Sequence, residues 1–251
     1  MNALPRVLLV TGGGRGIGAA VARLAGARGY HVAVNYAANT EAAQRVVAEI
    51  ERSGGRAVAI KADVSHEDDV EHLFAETERR LGPLWGLVNN AGITGRAGRL
   101  DAVSAATLRS VFDLNVLGAF LCARAAVKRL STNLGGKGGS IVNLSSGAAT
   151  LGGPGEWVWY AASKGAIDTF TIGLAREVAR EGIRVNAVAP GLTATEMHDT
   201  SGIENRVATL APTVPIGRAA TAEEVAETIL FLLSDAASYV TGAILRVAGG
   251  R

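Results

Sequence analysis

Val7-Leu8-Leu9-Val10-Thr11-Gly12-Gly13-Gly14-Arg15-Gly16-Ile17-Gly18 is the stretch on which the fold turns. Four apolar residues in a row read as a short strand buried on both faces. Gly12, Gly16 and Gly18 then allow a tight turn and close backbone approach. From Gly16 to about Arg28 the pattern becomes helical. A glycine-rich turn between a first strand and the N-terminus of a first helix suits a dinucleotide pyrophosphate, because free N–H groups and the helix dipole favour an anion there. The spacing Gly12-x-x-x-Gly16-x-Gly18 departs from the commoner Gly-x-Gly-x-x-Gly, so position in the chain carries the reading more than the spacing does.

The alternation continues along the chain. Strands are expected at His31–Asn35, Ala57–Lys61, Leu84–Asn89, Ser140–Leu144, Arg184–Ala189 and Ala243–Val247. Helices are expected over Glu41–Arg52, Glu67–Leu81, Ala105–Leu130, Tyr160–Arg180 and Ala222–Leu233, with Ser104 and Thr221 as N-caps. Apolar strands alternating with helices imply parallel strands joined by right-handed crossovers. The expected fold is α/β: a single doubly wound Rossmann domain over residues 1–251, with a mainly parallel seven-stranded sheet flanked by helices. No linker or repeat divides it.

Composition narrows the function classes. The chain has 251 residues, 48% hydrophobic, with only six prolines, which suits a large core. Its net charge of +2 comes from scattered basic residues, not a basic stripe, so nucleic acid is not an expected partner. Cys122 is the single cysteine, which excludes an intramolecular disulfide and favours a reducing, cytoplasmic setting. His31, His66, His72 and His198 are dispersed, so no metal site is expected. Neither a cleavable leader nor an uninterrupted membrane-length apolar run is read from the sequence.

Tyr160-Ala161-Ala162-Ser163-Lys164 carries the chemistry. On a helix, positions i and i+4 share a face, so the lysine ammonium stands beside the phenol. A nearby cation favours phenolate and moves its pKa toward neutrality, as proton exchange with a carbonyl or alcohol requires. Only four of the 25 basic residues are lysines, so a lysine at this position is informative.

Taken in order, Thr11-Gly12 to Gly18, Asn89-Asn90-Ala91-Gly92, Asn115, Ser145-Ser146, Tyr160-x-x-x-Lys164 and Pro190-Gly191 resemble the short-chain dehydrogenase/reductase family over essentially the whole chain. More loosely, the sequence is similar to its bacterial ketoacyl-carrier-protein-reductase-like and glucose-dehydrogenase-like branch. The resemblance implies a catalytic set of Asn115, Ser146, Tyr160 and Lys164. Tyr160 would be the general acid/base, Lys164 would lower its pKa and hold the nicotinamide ribose, and Ser146 would hold the substrate oxygen. Asn115 would anchor a water linking Lys164 to solvent.

The resemblance also assigns cofactor contacts to Gly12, Arg15, Gly16, Ile17, Gly18, Asn35, Asp63, Val64, Asn89, Ala91, Gly92, Tyr160, Lys164, Pro190, Gly191 and Thr193. Asn89 and Gly92 would shape the strand end beside the adenosine ribose, and Asp63 would contact the adenine. Ser146 and Tyr160 stand 14 apart, one more than the commonest family spacing, which predicts a bulge in the loop Gly152–Val158. Ser145 is the other candidate serine. Trp157 and Trp159 read equally well as pocket lining or packing anchors. The family places a substrate lid over Leu192–Pro215, which makes Met197 and His198 pocket candidates.

Past the second strand no acid appears until Glu41, whereas a site preferring NAD puts a carboxylate at that strand end. Arg15 supplies a guanidinium suited to a 2′-phosphate, and Asn35 a neutral hydrogen bond to either cofactor. NADP(H) is therefore expected over NAD(H), with NAD(H) possible. The expected partner is a small carbonyl or alcohol substrate. By family analogy the two long helices would form the interface of a homotetramer, or at least a dimer. The competing reading is a catalytically inactive dinucleotide-binding sensor or scaffold, which would be expected to have lost the Tyr/Lys pair or the serine.

Overall fold

The structure is a computed structural model that describes residues 6–197 and 202–251. The sheet holds β1 (Val7–Val10), β2 (His31–Tyr36), β3 (Arg56–Lys61), β4 (Leu84–Asn89), β5 (Gly139–Leu144), β6 (Ile183–Pro190) and β7 (Ile244–Val247). Their order is β3-β2-β1-β4-β5-β6-β7, and every pairing is parallel. Strand order reverses between β1 and β4, so a crevice opens at their carboxyl ends. Gly12 and Asn90, just past those two strands, line it.

Because side chains alternate along a strand, β1 feeds two cores. Leu8 and Val10 pack on one face with α1 (Gly16–Ala27), α2 (Thr40–Arg52) and α9 (Ala222–Leu233). Val7 and Leu9 pack on the other with α3 (Glu67–Leu81), α5 (Ala119–Leu130) and α7 (Val158–Val178). The shorter helices are α4 (Ala105–Phe112), α6 (Ala148–Leu151) and α8 (Arg206–Leu210). The expected caps form: Ser104 accepts from the Thr107 N–H, and Thr221 makes a reciprocal capping box with Glu224.

Two elements differ from the sequence reading. The rod from Ala105 to Leu130 is not uniformly α: Asp113–Gly118 forms a π-helical turn between α4 and α5, which brings Asn115 inward, fully buried. By length and composition this rod could cross a membrane, with a mean hydropathy of 1.5. It is the one such helix among the described residues, and half of its apolar window is buried within the protein. α7 begins at Val158, two residues before Tyr160. In the loop before it, Gly152, Gly153 and Gly155 all adopt left-handed φ (77°, 59° and 76°).

Candidate active site

The glycine turn is stitched to the end of β4. Thr11 Oγ1 accepts from the N–H groups of Asn90 and Ala91, each at 3.0 Å. Asn90 Nδ2 donates to the carbonyls of Thr11 (2.9 Å) and Gly12 (3.1 Å). Gly12 and Gly16 hold left-handed φ of 61° and 51°. A Cβ on Gly18 would lie 2.5 Å from both Asn90 Nδ2 and the Gly12 carbonyl oxygen, so only glycine fits. Ile17 and Arg15 line the cavity above this turn, with Arg15 exposed.

Asn35 behaves differently from the sequence reading. Its Oδ1 accepts from the Gly12 N–H (3.2 Å), while Nδ2 donates to the carbonyls of Ala62 (2.9 Å) and Ile60 (3.4 Å). Both amide hydrogens are engaged, so Asn35 buttresses the turn and has no free N–H for a cofactor. Asn89 is also displaced from its expected role. It is buried, and Nδ2 donates to Asn143 Oδ1 and the Ala119 carbonyl beneath the site. Its neighbour Asn90, with Ala91 and Gly92, lines the cavity.

Asp63 and Val64 line the cavity beyond β3. Burial pushes the Asp63 carboxyl up, but two hydrogen bonds from Ser65 and the nearby His66 outweigh it and leave the pKa below its usual value. On the far side Pro190 and Gly191 close the wall. A Cβ on Gly191 would meet Ala248 Cα at 2.7 Å. Thr193 bridges to Ala220 and lines the same cavity.

Tyr160 and Lys164 share one face of α7, as their spacing predicts. Tyr160 and Ser146 line the same cavity, and Ser146 Oγ accepts from the Ala148 N–H at 3.1 Å. Ser145 turns instead toward α7, with Oγ 3.5 Å from the Lys164 carbonyl. The hydroxyl contacts therefore separate the two serines. Lys164 is buried, donates to the Leu144 carbonyl at 2.6 Å, and has its Nζ 5.7 Å from the Tyr160 ring centroid.

The electrostatics overturn one expectation. Burial raises the Tyr160 pKa, opposed by Ser146 and the field of Arg206, and the net direction is up. The Lys164 ammonium is aimed at a carbonyl, and burial pushes its own pKa down to about 8, opposed by Asp168. Low-polarity surroundings penalise phenolate and ammonium alike.

Asn115 clamps this arrangement. Its Oδ1 accepts from the Ile93 N–H, and its Nδ2 donates to the Ile93 carbonyl and to Ser163 Oγ. Ser163 in turn donates to the Tyr160 carbonyl at 2.7 Å. A Cβ on Gly92 would come within 3.2 Å of Asn115 Oδ1 and 3.6 Å of Lys164 Nζ, which sets how closely the three approach.

The two tryptophans divide the roles left open for them. Trp159 is an anchor: it is buried against Val111 and donates to the Thr94 carbonyl at 2.8 Å. Trp157 lines the cavity with Met197, donates to the Gly95 carbonyl, and carries the Arg206 guanidinium 4.8 Å over its ring. Arg206 also pairs with Glu156 at 2.6 Å, which fastens α8, in the expected lid, to the loop before Tyr160. Sequence reading missed Arg206, which stands out only as the single charge of α8. His198 lies outside the described residues. Among those residues no His/Cys/Asp/Glu cluster could hold a metal.

The glycine turn, Asp63, Ser146, Tyr160, Lys164, Trp157 and Arg206 line one cavity of about 650 Å³. That size suits a small-molecule or cofactor site. A single parallel sheet with a glycine turn at its switch point defines a dinucleotide-binding fold of the doubly wound class.

Comparison with known proteins narrows that class. Residues 12–251 match a family model described as enoyl-(acyl carrier protein) reductase. The chain is 51% identical over 245 residues to the uncharacterized oxidoreductase YgfF of Escherichia coli, covering 98% of this chain and 99% of that protein. It is 42% identical to a 3-oxoacyl-[acyl-carrier-protein] reductase of Synechocystis, covering 98% and 96%. Among solved structures, a short chain dehydrogenase from Burkholderia cenocepacia in complex with NADP superposes with a TM-score of 0.90 at 36% identity, covering 99% of each chain. The chain belongs to the short-chain dehydrogenase/reductase family and is an oxidoreductase of that type.

Proposed function

We propose that this one-domain protein interconverts a small carbonyl compound and its alcohol with NADP(H), in preference to NAD(H), and that Tyr160 is the general acid/base. The observation that carries this is the half-buried Tyr160 phenol one turn from Lys164, in the wall of the cavity that the glycine turn opens and that Ser146 also lines. The residues fit a dinucleotide, since the turn leaves no room for a Cβ at Gly18 and sits at a helix N-terminus. Gly12, Arg15, Gly16 and Ile17 would hold its phosphates, Asp63 and Val64 its adenosine, and Lys164 its nicotinamide ribose. Bound there, the nicotinamide supplies or accepts the hydride.

In reduction Tyr160 gives its proton to the carbonyl oxygen, and in oxidation it takes the alcohol proton back. Ser146 hydrogen-bonds the same oxygen as charge develops on it. Burial keeps the phenol protonated near neutrality, so the acid needed for reduction is loaded. The fixed positive charge of Arg206 favours the phenolate left behind. Asn115 holds Ile93 and α7 in register, so Tyr160 and Lys164 face the cavity together. A panel of carbonyls and alcohols with both cofactors, followed by nicotinamide absorbance, tests the reading. Cofactor that binds but is never consumed across the panel would instead mark a sensor.

Lys164 makes a pH prediction. Its ammonium is present below its folded pKa of about 8 and is lost as pH rises through that value. Cofactor affinity, read by fluorescence titration, should therefore weaken about tenfold above that pH, the value of one hydrogen bond to a charged group. Lys164→Ala should lower turnover, bind cofactor weakly and lose this pH dependence. An affinity flat with pH in the parent would remove Lys164 from the cofactor site.

Assembly follows from surface chemistry. Phe112, Leu117, Phe120 and Ile172 are 36–46% exposed along the Ala105–Leu130 rod and α7, and Phe120 stacks on Phe170 at 3.8 Å. Exposed apolar side chains gathered on two helices suit an interface. A homotetramer, or at least a dimer, is expected, in a reducing cytoplasm that suits the lone buried thiol of Cys122, whose pKa burial pushes up to about 12. Light scattering that finds a monomer at micromolar concentration would refute the assembly.

A further inference from the structure

Arg246 is a charged residue in the cavity wall that the mechanism above does not use. Its neighbour on β7, Val247, packs into the core with α1 and α9. Strand alternation therefore turns Arg246 to the opposite face of the sheet, where α7 lies. β7 is an edge strand, and a charge commonly guards such an edge by pointing into solvent. Here the guanidinium instead reaches the serine-bearing loop: a Cβ on Gly147, the residue after Ser146, would lie 3.9 Å from Arg246 Nη2. Gly147 is held in place, because its N–H donates to the Pro190 carbonyl at 2.8 Å. Arg251, whose N–H donates to the Ala248 carbonyl, lines the same cavity. Both arginines are exposed, so they stand where the cavity meets solvent.

The other charges in the wall are already engaged. Among the described residues, its carboxylates are Asp63, Glu156 and Glu196. Asp63 accepts from Ser65, and Glu156 pairs with Arg206. Glu196 Oε2 stands 3.6 Å from where a Cβ on Gly16 would lie, beside the glycine turn. Neither Arg246 nor Arg251 pairs with a carboxylate among the described residues. Resting on the reading of Ser146 and Tyr160 as the groups that meet the carbonyl, we infer that the substrate is an anion: a small carbonyl compound whose carboxylate or phosphate is held by Arg246, with Arg251 adding to the positive field. The planar fork of an arginine matches either oxyanion bidentately. With Ser146 on the carbonyl oxygen and Arg246 on the far end, the substrate is fixed at two points, which orients the carbon that exchanges hydride. The exposed positive charge also draws an anion toward the cavity.

The test compares matched substrates with the full chain and NADPH: levulinate against its methyl ester, and dihydroxyacetone phosphate against dihydroxyacetone. Within each pair the carbonyl is the same and the anionic group is present or masked. The parent should favour the anion in kcat/KM, and salt should shrink that preference because the arginines face solvent. This salt series needs no variant to fold. In Arg246→Ala the anion-to-neutral ratio should fall about 10- to 100-fold, the range for a hydrogen bond to a charged group. Arg246→Lys keeps the charge but loses the fork, and should restore part of the ratio. The pair with the larger ratio tells a carboxylate site from a phosphate site. Calorimetric titration of the same compounds into protein loaded with NADP⁺, which cannot reduce them, reads the preference without turnover. No anion preference in the parent, or a ratio unmoved in Arg246→Ala, overturns the inference. So does a change in Arg246→Ala confined to oligomeric state. Turnover of the neutral members without preference for the anions sinks this inference alone, whereas anion-selective binding that depends on Arg246 without any turnover sinks the reductase reading alone.

Discussion

Tyr160→Phe is expected to lower turnover by about 10²–10⁴-fold, the usual range for loss of a general acid, while cofactor affinity stays within about twofold. Phenylalanine fills the same space on α7, so no cavity opens, and Lys164 keeps its bond to the Leu144 carbonyl. Only the O–H in the cavity wall is removed. The parent should also show a direction-dependent pH profile. A phenol pKa raised by burial keeps Tyr160 protonated near neutrality, which serves reduction. Oxidation needs the phenolate, and its rate should climb as pH rises toward that pKa. In Tyr160→Phe that alkaline rise should vanish. Pre-steady-state turnover with saturating cofactor measures both effects, and near-full turnover in the variant would make the proposed mechanism wrong.

The parts legible in the sequence are those that local pattern determines. Val7–Val10 followed by glycines marked the first strand and its turn, and alternating apolar runs marked the rest of the sheet. The i, i+4 rule placed Tyr160 and Lys164 on one face. What stayed hidden depends on packing. The π turn at Asp113–Gly118 adds one residue to a helical ladder without changing its apolar pattern. Asn89 and Asn90 are adjacent, and which of them faces the cavity is decided by where β4 stops pairing. Asn35 sits at a position that suits a cofactor contact, yet the Gly12 N–H and the Ala62 carbonyl claim its amide first. The direction of the Tyr160 shift was misjudged because spacing reports a neighbouring charge, whereas the structure adds the desolvation that outweighs it. Arg206 comes from a segment 46 residues further along the chain and meets Tyr160 only through the fold.

Arg15→Ala is expected to cost about 10- to 100-fold in kcat/KM with NADPH, the worth of a hydrogen bond to a charged group, and to leave NADH within about twofold. Arg15 is exposed, immediately precedes α1 and lines the cavity, while its side chain makes no cap hydrogen bond to the helix. Its planar fork is therefore available to a 2′-phosphate, which it matches bidentately. The residues at and just after the end of β2 that line the same cavity, Tyr36, Ala37, Ala38 and Asn39, carry no charge. The first acid, Glu41, lies on the first turn of α2, so no carboxylate among them repels a phosphate or grips a ribose 2′-hydroxyl. Because Arg15 faces solvent, salt should screen its contribution, and the preference for NADPH should shrink as ionic strength rises. Asn35 has both N–H groups committed to backbone carbonyls, which leaves Arg15 to discriminate between the cofactors. Equal efficiency with the two cofactors in the parent, or no loss with NADPH in Arg15→Ala, would show that the choice is made elsewhere.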